Sequence, residues 1–276
     1  MTYSTIMAHL ELGRSNERLV NLTAELAKRL ATDVIGVAAC QPIQVLYGEV
    51  YVAGDLIQMD RDEIDREAKV AEAEFRAALA GHAQTLDWRT AVTCLPLAGY
   101  ICDQARAADL IITSPGRGGR PFESNRRASI GDLVMQAGRP VLIAPATATT
   151  LDLEHVLIAW KDTRETRRAV ADALPLLEQA GQVSVVEVAE HTDLEDAEAR
   201  VADVADWLKR NGIGAQGLAI AAAGDVAVQL DTLARERDVG LMVAGAYGHT
   251  RLREWAFGGV TQQALMHPRR CTLVSH

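Results

Sequence analysis

The chain lacks the short motifs that most directly announce an activity. Its 276 residues contain no Gly-x4-Gly-Lys-Ser/Thr, no His-Glu-x-x-His and no Gly-x-Ser-x-Gly. That removes the sequence basis for a P-loop NTPase, a zincin or an α/β-hydrolase, and no catalytic triad is assigned. No segment supplies the roughly 20 successive apolar residues of a spanning helix, and residues 1–6 lack the basic and long apolar regions of a secretory leader. A cytoplasmic protein with no membrane partner is expected. Basic residues are outnumbered, 28 Lys and Arg against 37 Asp and Glu, for a net charge of -9, which argues against nucleic acid as a partner. Cys40, Cys94, Cys102 and Cys271 include no Cys-x-x-Cys and no nearby His pair, so neither a disulfide framework nor a metal site is indicated; four core thiols are expected.

What the chain does have is internal repetition. Ser4-Thr5-Ile6-Met7-Ala8-His9 finds a counterpart 151 residues later in His155-Val156-Leu157-Ile158-Ala159-Trp160. Asp109-Leu110-Ile111-Ile112-Thr113-Ser114 matches Gly240-Leu241-Met242-Val243-Ala244-Gly245 at an offset of 131, and Pro140-Val141-Leu142-Ile143 matches Cys271-Thr272-Leu273-Val274 at the same offset. This reads as a tandem duplication with domains at 1–146 and 152–276. The seam lies in the small-residue stretch from Ala144 to Thr150, which has no apolar periodicity.

Each half alternates short apolar runs with amphipathic stretches. The second half predicts strands near 155–160, 182–189, 214–221, 239–244 and 271–275, with helices near 164–180, 194–211, 224–237 and 259–267. Val201, Val204, Ala205 and Leu208 trace one apolar helix face, Gly212 marks a helix stop, and Pro175 is expected to kink a helix rather than end it. The first half predicts strands near 4–10, 33–39, 87–93, 109–113 and 140–144, plus an insertion over 41–59. Strands alternating with helices imply an α/β fold with a parallel sheet covered on both faces. An apolar edge strand in each half suggests intramolecular domain pairing or a homodimer.

One loop carries the candidate chemistry. The apolar run ending at Ala244 opens into Gly245-Ala246-Tyr247-Gly248, followed by Gly258-Gly259-Val260-Thr261 at a predicted helix start. Glycines let backbone N–H groups approach an anion, and a helix start adds unpaired donors, so strand, loop and helix together suit a phosphate. The same glycines also suit a strand end, a turn and close packing. His249, Arg251 and Arg253 add polar and positive groups. At the aligned positions of the first half stand Ser114, Arg117 and Arg127, whose side chains would crowd a phosphate. Arg117, Arg120, Arg126 and Arg127 make that loop basic, which suits an anionic partner, the other half's phosphates or a solvated charge cluster. The acidic runs at 60–67 and 193–198 are expected at helix starts, where negative charge favours the dipole. Gly212-Ile213-Gly214-Ala215-Gln216-Gly217 matches Gly-x-Gly-x-x-Gly but runs from helix to strand, the reverse of a dinucleotide fingerprint.

The spacing Gly-x2-Gly-x9-Gly after the fourth strand, Arg168-Ala169-Val170 in the helix after the opening strand, and the duplicated layout resemble a tandem universal stress protein. That resemblance implies two tandem doubly wound domains, each a five-stranded parallel sheet of order 3-2-1-4-5 with helices on both faces. It implies a stress-response regulatory protein, not an enzyme, binding ATP or a related adenine nucleotide in the second domain, with Mg2+ as a companion ion. Carried onto this chain, the nucleotide-binding candidates are Gly245, Gly248, His249, Arg251, Gly258, Gly259, Val260, Thr261, Lys161 and Asp162. Two departures stand out: Gly259 replaces a hydroxyl residue, and Lys161 stands where the family often has Asp, with Asp162 one residue later. The alternatives are a nucleotide-independent interaction module of the same fold and, third, a slow nucleotide hydrolase for which no general base is identified.

Overall fold

Within each half the inner strands are short, apolar and buried on both sides, the strand farthest from the other half is largely half-exposed, and the described helices connect them as parallel crossovers. The computed structural model describes residues 2–43, 54–115, 123–246 and 269–276. Its first half contains β1 (Thr5–Leu10), α1 (Glu17–Leu30), β2 (Asp33–Cys40), α2 (Gly54–Leu79), β3 (Leu86–Val92), α3 (Leu97–Gln104), β4 (Leu110–Thr113), α4 (Ile130–Gln136) and β5 (Val141–Ile143). The second contains β6 (His155–Ala159), α5 (Arg164–Leu177), β7 (Gln182–Ala189), α6 (Leu194–Arg210), β8 (Ala215–Ala221), α7 (Val226–Glu236), β9 (Leu241–Gly245) and β10 (Cys271–Ser275). The strand order is β3-β2-β1-β4-β5-β10-β9-β6-β7-β8. Each half therefore has the expected 3-2-1-4-5 arrangement, and the two are tandem doubly wound units.

The halves meet at β5 and β10, which pair antiparallel through Ile143 with Thr272, Leu142 with Leu273 and Val141 with Val274. All other strand pairs among the described residues are parallel. This inversion points the carboxyl ends of the strands in one half in the direction opposite to those in the other. On one face a single apolar core runs across the seam, joining Leu22 and Leu26 of α1 to Leu142, Leu176 and Leu273. Polar ties reinforce it: the Tyr3 hydroxyl donates to the Asp172 carbonyl at 2.5 Å, and the Ser275 hydroxyl donates to the Asp172 carboxylate at 2.9 Å.

Local sequence rules account for much of this. Val201, Ala205 and Leu208 are buried along α6, with Val204 half-buried. After Arg210 the chain turns at Gly212, whose φ of +81° is a left-handed conformation that glycine adopts cheaply. α5 runs through Pro175 and ends two residues later at Leu177, so the proline occupies its last turn. No described helix is long and apolar enough to cross a membrane.

Three expectations are corrected. α2 begins at Gly54, so residues 54–59 of the expected insertion are helical, and the acidic run 60–67 lies within the helix rather than at its start. Only Cys40 and Cys271 are buried thiols; Cys94 is exposed and Cys102 half-exposed. The opening strands repeat at 150 residues, not 151: Met7 faces Ile111 and Leu157 faces Met242, making Leu10 the counterpart of Trp160 and His9 that of Ala159. A slip of one residue reverses which face every side chain takes, so only strand pairing decides the register. The predicted helix at 259–267 lies outside the described residues.

Candidate functional site

Open α/β sheets bind ligands at the carboxyl ends of strands where the strand order reverses. Here those points lie between β1 and β4 in the first half and between β6 and β9 in the second. Their floors differ. In the first half His9 is buried and its Nδ1 lies 2.9 Å from the Thr113 hydroxyl. In the second half the same register brings Ala159 opposite Ala244. Two small side chains replace a bonded imidazole and a threonine.

The His9 environment has a measurable consequence. Burial lowers its pKa from 6.5 to about 4. The unfolded chain therefore takes up a proton near pH 6.5 that the folded protein refuses until about pH 4. The stabilising contribution is complete above the unfolded pKa and is lost as pH falls through that window. A loss of about 3 kcal/mol from this group is expected between neutral pH and pH 4. Urea midpoints measured across the window should fall less steeply for His9→Asn; parallel curves would refute the assignment.

Around His9 the first-half crevice, of about 260 Å³, is lined by Glu11, Arg14, Ser15, Asn16 and Ser114. Several of its donors already have partners. Both Glu74 carboxylate oxygens accept from the Asn16 N–H at 3.0 Å, and one accepts from the Ser15 hydroxyl at 3.1 Å. The Asn16 side chain accepts from the Glu11 N–H at 2.9 Å. Glu67 lies so near Gly13 that an added Cβ there would sit 2.7 Å from its carboxylate oxygen. The long helix α2 thus delivers carboxylates to the place where an anionic ligand would need donors.

The loop after β4 is held by the same helix. Arg126 is 15% exposed at its side chain, donates to Glu67 at 2.7 Å and lies 3.9 Å from Asp60. Burial opposes its charge, but the hydrogen bond to Glu67 and the charges of Glu67 and Asp60 outweigh that and raise its pKa. Arg127 lies 3.9 Å from Glu11. For these two arginines a solvated cluster is therefore the wrong description. The described contacts of Arg126 and Arg127 are with carboxylates of their own half. Arg117 and Arg120 lie outside the described residues.

In the second half, Lys161 and Asp162 follow β6 at the mouth of its switch point. Asp162 accepts from Arg167 at 2.6 Å. Thr163 caps α5, its hydroxyl accepting from the Thr166 N–H at 3.3 Å. Gly245, the last residue of β9, abuts this helix start: an added Cβ would lie 2.4 Å from the Thr166 nitrogen. The missing side chain of Gly245 is therefore used for packing. Gly248, His249, Arg251, Gly258, Gly259, Val260 and Thr261 lie outside the described residues, as do Trp255 and Phe257. Motif reading missed the His9–Thr113 and Ala159–Ala244 contrast, because both pairs are distant in sequence and meet only through strand register.

A universal stress protein from Archaeoglobus fulgidus DSM 4304 superposes with a TM-score of 0.73 at 12% identity, over 98% of this chain and 95% of that one. The chain has the tandem universal stress protein fold. A protein of unknown function from Pseudomonas aeruginosa PAO1 shares that fold with a TM-score of 0.61 at 15% identity, over 99% of this chain and 92% of that one. No protein-family model matches the sequence, and no curated protein matches it as a relative. Tandem universal stress protein architecture thus persists here where sequence similarity has fallen away, as expected when core pattern and turn positions define a fold.

Proposed function

We propose that the protein is a stress-response regulatory protein that binds ATP or a related adenine nucleotide, with Mg2+ on its phosphates, in the second-half crevice. The observation that carries this reading is the difference between the two switch points. One is floored by His9 bonded to Thr113 and has its loop donors engaged by Glu74; the other has Ala159 opposite Ala244. In this reading Lys161 and Asp162 flank the ligand, and phosphate contacts begin at Gly248 and continue through His249, Arg251, Gly258, Gly259, Val260 and Thr261. Gly245 contributes by letting α5 close on the strand end. The protein binds and responds rather than turning substrate over. Antiparallel pairing of β5 with β10 serves in place of a two-chain interface, in a cytoplasmic protein with domains at 1–146 and 152–276.

A ligand that binds only the folded chain raises its stability with concentration. Calorimetric titration of ATP and Mg2+ into protein stripped by denaturation and refolding should give saturable binding, and mass spectrometry of the denatured protein should find a released adenine nucleotide. Gly248→Val should remove the binding and its thermal stabilisation. An unchanged response in that variant would reject the site. The packing use of Gly245 favours a second reading, an interaction module without nucleotide, because it accounts for one motif glycine with no ligand. No released nucleotide and no binding of added ATP would select it.

A further inference from the structure

We propose that the groove between α5 and α6 is a separate binding site for a planar aromatic anion. The groove has a volume of about 470 Å³ and is lined by Trp160, Arg167, Val170, Arg200, Trp207 and Arg210, among others. That size falls within the range of small-molecule sites. It starts beside the end of β6, where Asp162 at the mouth of the switch point also lines it, and runs along the helices toward the last turn of α6. Its first-half counterpart is closed. Leu10 takes the place of Trp160 and is fully buried in a core shared with Ile64 and Phe75 of α2.

Three features identify the occupant. Trp160 is 9% exposed, and its buried indole N–H has no hydrogen-bond partner among the described residues, a cost that an acceptor on a ligand would relieve. Trp160 lines the groove while its indole nitrogen is itself buried, so a ligand reaches the donor only if a lining side chain gives way. Trp207, at 37% exposure, supplies a second indole and with it an accessible aromatic wall. The charges on the walls are divided: Arg167 is held by Asp162, and Arg200 by Glu187 and Asp193. Arg210 makes no ion pair within 4 Å among the described residues, although its charge also acts on Asp206 one turn earlier, and it supplies the cation for an anionic group, while Asp162 and Asp203 on the same groove disfavour a doubly charged one. A ring held against indole, one acceptor for the Trp160 N–H and one negative charge for Arg210 describe an aromatic carboxylate.

The test uses the full chain, 15N-labelled, titrated with indole-3-carboxylate and, as a non-aromatic control, cyclohexanecarboxylate. Trp160→Phe assigns the critical indole N–H resonance. We expect a saturable shift of the Trp160 and Trp207 indole signals with the aromatic probe, and much weaker shifts with the control. Trp207→Ala and, separately, the exposed Arg210→Ala should each weaken binding by about tenfold or more, whereas Gly248→Val should leave it unchanged. An unmoved Trp160 signal at millimolar probe, an equal response to both carboxylates, or full affinity in both variants would overturn the proposal. This outcome is independent of the nucleotide reading. ATP binding that survives Gly248→Val but is lost in Trp207→Ala would reject the crevice and would also overturn the singly charged occupant assigned to the groove.

Discussion

Gly245→Val is expected to lower stability by about 3 kcal/mol or more, near the upper end of what overpacking costs. The new Cβ would lie 2.4 Å from the Thr166 nitrogen and 2.7 Å from the Glu165 carbonyl carbon. Both are backbone atoms in the first turn of α5, so relief requires the helix to move rather than a side chain to turn. That helix carries Ala169, Val170 and Ala173 into the core spanning the seam, which couples a shift of its first turn to both halves. Urea denaturation measures the loss. Gly99→Ala in α3 provides the control: no neighbour lies within 4 Å of its added Cβ, and exchange of glycine for alanine inside a helix stabilises by about 0.5–1 kcal/mol. Equal midpoints for the two variants would refute the packing account.

A second large effect is expected at the loop latch. Arg126→Ala leaves Asp60 and Glu67, which are 6% and 18% exposed at their side chains, without their shared guanidinium. Removing one partner of a buried ion cluster costs about 3–5 kcal/mol, chiefly because the remaining charge is stranded. Partial exposure of Glu67 places the expectation at the lower end. The Asp60 carboxylate also accepts from the Ile43 N–H at 3.0 Å, so the loss should extend to the segment after β2. Neutralising both acids in the background of the first substitution, with Asp60→Asn and Glu67→Gln, should recover much of the stability. Failure of that rescue would show that Arg126 acts by packing alone. Hydrogen exchange at Gln41 gives a local readout, since its N–H donates to the Asn125 carbonyl at 2.7 Å in the latched loop.

Much of the architecture was legible because it rests on local rules. Apolar runs at 182–189 and 271–275 coincide with β7 and β10, and the apolar spacing in α6 reports its buried face. The start of α2 was not legible. An acidic run resembles a helix start, and here the helix begins before it, with Asp60 and Glu67 turned to the service of a distant arginine. Gly245 illustrates the same boundary within the candidate site. Its position at a strand end was readable, but its need to be glycine comes from α5, about 80 residues earlier in the chain. The unlike floors of the two crevices were hidden by a one-residue error in aligning the repeats, which strand register corrects.

The covalent link between the halves has a further consequence. Were β5 and β10 contributed by two identical chains, a two-fold axis would impose every substitution twice, and a histidine bonded at one switch point would be matched by a histidine at the other. Joined in one polypeptide, the two sides of the seam are free to diverge while their association is secured by linkage rather than by concentration. The molecule is thereby a dimer in shape and a heterodimer in content: a bonded histidine and threonine floor the switch point at one end of its strands, and two alanines face each other at the opposite end.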